Sequence, residues 1–97
     1  MNAVLNIYAD CSTDQPTKTY VCKRLLLGVS KKVQALSENM QGKTQEEQIA
    51  INLDVIKTIF PDFVDSEFDY IDINEWYEFV EEIGRETNAI VRGAAKK

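Results

Sequence analysis

The sequence predicts a mainly α fold of the α+β class: one compact domain in which a small N-terminal β-hairpin precedes three principal helices. Three observations predict it. Two segments rich in β-branched and aromatic residues flank a proline-containing turn cluster within residues 1–24, and three later segments carry apolar residues at helical spacing. Two of those segments also open with the side-chain spacing that caps a helix N-terminus.

The hairpin is read from "AVLNIYA" and "TKTYVCKRL", which suit a pleated, half-buried surface, separated by the turn formers of "DCSTDQP". Residues 25–41 follow as the first helix. Leu25, Val29, Val33, Leu36 and Met40 recur every three or four residues and fall within an arc of about 80°, and Gly42 stops the pattern.

The second helix spans residues 44–60 and starts at a capping box, with Thr44 three residues before Glu47 so that each side chain satisfies the other's backbone N–H. Ile49, Leu53, Ile56, Ile59 and Phe60 make one apolar stripe. Ile51 and Val55 lie roughly 120° or more from its centre. A helix apolar on two sides needs two partners: one is the core, and the other is either more core or another chain.

Residues 61–71 form an acidic and aromatic connector. Its Phe63, Phe68 and Ile71, with Phe60 before it, are expected to point inward while Asp62, Asp65, Glu67 and Asp69 are solvated. The last helix, residues 72–92, begins with Asp72 as N-cap and Glu75 completing a box. Ile73, Trp76, Tyr77, Phe79, Val80, Ile83, Ile90 and Val91 occupy an arc of about 160°. The acids from Glu75 to Glu86 lie opposite. The helix is expected to end near Gly93, with Lys96 and Lys97 placed where the helix dipole favours cations.

Composition narrows the function. At 97 residues and 44% hydrophobic, the chain has room for a single core. It has no signal-like opening and no apolar run of membrane-spanning length, which reads as a soluble, intracellular protein without a membrane partner. A net charge of −5 argues against nucleic acid, whose phosphates need clustered Lys and Arg. That charge is unevenly spread. Residues 1–60 carry seven Lys or Arg against six Asp or Glu, and residues 61–97 carry four against ten, a polarity that favours self-association or a basic partner.

Catalytic and metal chemistry find no foothold. The chain has no His, and Cys11 and Cys22 lack CxxC spacing, so they read as free thiols and no catalytic residue or cofactor is expected. An EF-hand loop starting at Asp65 would place acids correctly at Asp65, Glu67 and Asp69. It then fails, with Tyr70 where glycine belongs, Asp72 at the aliphatic position and Trp76 at the bidentate Glu.

A helix ending in "IF", followed by "PDFVDSEFDYIDINEWYEFVEEI", resembles the C-terminal half of the tail assembly chaperones of long-tailed (siphovirus-type) phages of Gram-positive bacteria. The shared organisation is an apolar helix ending in Phe, a short loop, an aromatic, acids, and an Asp-led final helix. It spans roughly residues 44–86, and the hairpin followed by the Lys-bearing "KRLLLGVSKKVQALSENM" fits the same layout.

The resemblance implies a non-enzymatic protein of the host cell cytoplasm, absent from the mature virion. Such a chaperone coats the long helical tape measure protein until tail tube protein replaces it, and it self-associates around that helix. In that family a longer form often arises by ribosomal frameshifting near the end of the gene, and Lys96 and Lys97 would suit an A-rich slippery codon pair. A groove around Ile51, Val55, Trp76 and Tyr77 is the expected contact with the client. The alternatives are a phage structural component, such as a head-tail connector or minor tail subunit, which purified virions would contain, and a small acidic regulator of a host protein acting through Glu75, Glu78, Glu81, Glu82 and Glu86.

Overall fold

The computed structural model describes the backbone of residues 2–96 and the side chains of residues 2–87. Strands β1 (Ala3–Ile7) and β2 (Lys18–Cys22) pair antiparallel, with Ala3 opposite Cys22 and Ile7 opposite Lys18. Alternation sends Ala3, Leu5, Ile7, Tyr20 and Cys22 into the core. The long connecting loop turns where Asp10 Oδ1 accepts hydrogen bonds from the Ser12 N–H and hydroxyl. These bonds hold the Asp10 carboxyl below its ordinary pKa. Cys11 is exposed in this loop and Cys22 is buried, so the two thiols do not face one another across the hairpin.

Helix α1 covers Leu27–Glu38, shorter at both ends than the expected 25–41. Leu26 is its N-cap in an extended conformation with no capping side chain, so Leu25 lies before the helix. At the other end the Asn39 N–H turns back to Leu36 and Ser37, and Gly42 takes φ 78°, a left-handed turn that suits glycine. Of the expected face, Val33 is buried, and Leu25 and Val29 pack against the core. Ser30, 2% exposed, joins them although the apolar pattern did not include it.

Helix α2 (Gln45–Ile59) matches its expected span. Glu47 N–H donates to Thr44 Oγ1 at 3.2 Å and Thr44 N–H donates to Glu47 Oε1 at 3.0 Å, completing the box. Ile56 is fully buried and Phe60 nearly so, while Ile49 at the start of the stripe is 39% exposed.

The connector is more ordered than a loop. Residues Asp65–Tyr70 form a short 3-10 helix, and Ile71 then makes an antiparallel bridge to Ile7, placing β1 between β2 and this segment. Two turns of 3-10 helix have too few residues to display a hydrophobic period, so nothing in the pattern announced it. Phe63 is buried, and Phe68 and Ile71 pack on the core as expected.

Glu67 departs from the expectation of a solvated acid. It accepts the Tyr20 hydroxyl at 2.6 Å and the Val64 N–H at 3.0 Å, and pairs with Lys18 at 3.4 Å. Asp65 pairs with Lys57 of α2.

Helix α3 (Ile73–Lys96) runs through Gly93 instead of stopping there. A glycine inside a helix costs only about 1 kcal/mol relative to Ala. Asp72 Oδ2 caps it, accepting the Asn74 and Glu75 N–H groups at 3.0 Å each. Glu75 does not complete a box. Its carboxylate instead accepts Asn6 Nδ2 at 3.1 Å and the Tyr8 hydroxyl at 2.6 Å, tying α3 to β1.

The apolar arc of α3 is only half used. Phe79 and Ile83 are buried and Trp76 packs on the core, but Ile73, Tyr77 and Val80 are 63%, 62% and 45% exposed. An arc of about 160° is wider than one contact covers, and α3 settles by the flank that faces Phe60. Ile90, Val91 and the side chains of Lys96 and Lys97 lie outside the side chains described.

Candidate functional site

The core is strung on aromatic rings. Tyr20 meets Phe60 at 5.3 Å between centroids, Phe60 meets Phe79 at 5.9 Å, and Phe79 lies 6.0 Å from Trp76 at an interplanar angle of 22°. Phe68 approaches Trp76 edge-on at 5.6 Å. Offset and edge-to-face pairs of this kind fix ring positions beyond what area burial alone does. Trp76 ends the chain of rings half-buried, held on two sides by Phe68 and Phe79.

Beside Trp76 a cleft of about 210 Å³ opens between the three helices. Its apolar walls are Val33 of α1, Val55 of α2, and Trp76, Phe79, Val80 and Ile83 of α3. Gln34, Ser37, Asn52 and Thr87 add neutral polar groups, and no charged side chain among the described residues lines it. Thr87 is 6% exposed, and its hydroxyl has no hydrogen-bond partner among the described residues.

The structure brings together two of the four residues expected at a contact surface. Val55 and Trp76 line the cleft, and Val55 also packs against the core. Ile51, one turn earlier on α2, is half-buried outside the lining, and Tyr77 is exposed on the other side of α3 from Phe79. Val80 is a wall that the sequence marked only as part of the apolar arc of α3. Its spacing of four from Trp76 was the available signal, but spacing could not show that the arc exceeds the contact.

A second hollow, of about 840 Å³, lies between the β1–β2 loop and the start of α3. Asp10, Asp14, Asp69 and Asp72 line it together with Tyr8, Tyr70 and Ile73, and no cation among the described residues does.

The titrating groups with clear shifts serve packing. Burial pushes the Cys22 thiol up. Burial alone would raise Glu67, but the Tyr20 hydroxyl, the Val64 N–H and the Lys18 ammonium outweigh it and hold the carboxyl below its ordinary value. A carboxylate held ionised in this way is fitted to accept hydrogen bonds, not to donate a proton. Among the described residues no group of three His, Cys, Asp or Glu is placed to hold a metal ion, and no helix is long and apolar enough to cross a membrane.

The chain matches no protein-family model, no curated protein and no solved structure. The arrangement by itself offers an apolar cleft, free of charged side chains among the described residues and edged by the half-buried Trp76, which suits the binding of apolar side chains.

Proposed function

We propose that this chain is a non-enzymatic tail assembly chaperone of a long-tailed phage. It binds the tape measure protein in the host cytoplasm, keeps that helical client soluble, and leaves before the virion matures, when tail tube protein takes its place. The observation that carries the reading is the cleft of Val55, Trp76 and Val80, lined by no charged side chain among the described residues, together with the exposed Tyr77 and Ile73 elsewhere on α3. Ile73, Tyr77 and Val80 stand at i, i+4 and i+7, the spacing by which one helix face meets another. The organisation of residues 44–86 described above supports the same reading.

The test is co-expression with the tape measure protein of the same genome, measuring the client's soluble fraction. Solubility should fall without this chain. Val80→Asp and Tyr77→Asp should fold, because the two residues are 45% and 62% exposed, yet fail to protect the client. Val55→Asp places a charge against the core and should also cost stability, which separates the packing role of that residue from its contact role. Trp76 emission should move to the blue when a peptide from the client's apolar stripe is added. Equal client solubility with and without the chain would overturn the proposal, and stoichiometric amounts in mature particles would make it a structural component instead.

A further inference from the structure

Helix α3 carries a glycine in its interior, where glycine weakens a helix relative to alanine. Gly84 lies between Val80 at i−4 and Thr87 at i+3, so the three share one face, and all three line the cleft between the helices. The missing side chain leaves a gap there. A Cβ at position 84 would meet no atom of the described residues within 4 Å, which opens the backbone to close approach by whatever enters the cleft.

Thr87 borders that gap. It is 6% exposed, and its hydroxyl reaches neither water nor a hydrogen-bond partner among the described residues. Buried hydroxyls are paired as a rule, because they give up hydrogen bonds to water on folding. Threonine in a helix divides between two χ1 rotamers, so this hydroxyl can turn to meet an incoming group. It can then act as donor or as acceptor.

Size and walls restrict what that group is attached to. A cavity of roughly 150 Å³ lined by aliphatic and aromatic side chains holds a benzene ring. This cleft, at about 210 Å³, has room for one ring with a substituent. Its aliphatic walls suit the faces of a ring, and Trp76 and Phe79 favour one in offset or edge-on contact. A charged group would enter without a counter-ion, since no charged side chain among the described residues lines the cleft. A neutral ring bearing one hydroxyl meets every condition, and among side chains that is the phenol of tyrosine.

We infer that the cleft takes the side chain of one tyrosine of the client, its ring laid into the gap at Gly84 and its phenol hydroxyl bonded to Thr87 Oγ1. This rests on the reading of the cleft as the client's contact, and it adds which side chain that contact selects. A phenylalanine in the same place would fill the gap and leave the Thr87 hydroxyl unpaired, whereas a tyrosine pairs it. A site that bonds a ligand's hydroxyl discriminates against the analogue that lacks it.

Titration of the full chain with p-cresol, which is the tyrosine side chain alone, and with toluene, its phenylalanine counterpart, tests this. Binding is read from the Val80 and Ile83 methyl and Gly84 amide resonances. Water holds the cresol hydroxyl, so a cleft offering no hydrogen bond favours toluene. The unaltered chain should instead bind p-cresol about tenfold more tightly, the worth of one buried hydrogen bond. Thr87→Val should abolish that preference, and it should also melt above the parent, because it removes a buried hydroxyl with no partner among the described residues. Gly84→Leu should fold, since its Cβ enters open space, and should exclude both probes. An apolar-striped helical peptide with one central tyrosine should bind about tenfold more tightly than the same peptide with phenylalanine. Toluene binding as tightly as p-cresol, neither probe binding, a preference that survives Thr87→Val, a Thr87→Val that melts below the parent, or equal affinity for the two peptides would each overturn the inference. Client solubility that still depends on this chain in any of those cases would leave the chaperone reading standing. A phenol preference with client solubility indifferent to the chain would strike the chaperone reading and uphold the selection at Thr87.

Discussion

Tyr8 and Glu75 are 67 residues apart in sequence and 2.6 Å apart in space, the phenol donating to Glu75 Oε2. This bond, with Asn6 donating to Oε1, fixes the first turn of α3 beside β1 and so sets which flank of the helix faces the core. The carboxylate's hydrogen bond and charge, together with partial burial, raise the Tyr8 pKa above its ordinary 10.0. Tyr8→Phe and Glu75→Gln should each lower the urea midpoint. Made together they should lower it by less than the sum, because either change alone already breaks the shared bond. Strict additivity in that cycle would show that the two residues act independently.

The Tyr20–Glu67 pair should shape stability at both ends of the pH scale. Glu67 is held below its ordinary 4.5, so the native state binds its proton more weakly than the unfolded chain. Its contribution is present above about 4.5 and is lost as pH falls through the native value. Tyr20 is raised above 10.0 by burial and by the bond to Glu67, so its contribution is present below 10.0 and is lost as pH rises through the native value. Melting temperatures should form a plateau between these limits. Glu67→Gln should flatten the acid decline and Tyr20→Phe the alkaline one; an acid slope unchanged in Glu67→Gln would assign that decline to other groups.

Core and exposed isoleucines should separate cleanly under denaturant. Ile56 and Ile83 are 0% and 3% exposed, and truncating either to Ala should cost about 2 to 5 kcal/mol. Ile73 is 63% exposed, and Ile73→Ala should stay within about 0.5 kcal/mol. A large loss at Ile73 in a dilute monomer would place that side chain in the core after all.

The two helix starts should respond to loss of their caps. Thr44→Ala removes the acceptor for the Glu47 N–H, and Asp72→Ala removes the acceptor for two N–H groups, so each should cost about 0.5 to 2 kcal/mol in equilibrium unfolding. Asp72→Asn should retain most of that stability, since Asn caps about as well as Asp. Equal losses for Asp72→Ala and Asp72→Asn would mean that the charge at the start of α3 matters more than the hydrogen bonds.

What the sequence determined by itself is local. Strand segments, the spans of α2 and the start of α3, and the caps at Thr44 and Asp72 depend on neighbours within about four residues, and spacing along the chain records such neighbours directly. Phe60, Phe63, Phe79 and Ile83 were legible as core for the same reason. What only tertiary structure decided is how these pieces share their surfaces. Glu75 completes a capping box by its spacing, yet its carboxylate goes to Asn6 and Tyr8, whose donors were invisible from a helix 67 residues away. Glu67 has the composition of a solvated acid but meets Tyr20 across the fold. The apolar arc of α3 is a property of one helix, but how much of it is covered depends on the angle at which that helix meets β1 and α1. Periodicity marks which residues can be buried together; packing selects the flank, and here it left Ile73, Tyr77 and Val80 outside while drawing Val55 and Trp76 to one cleft.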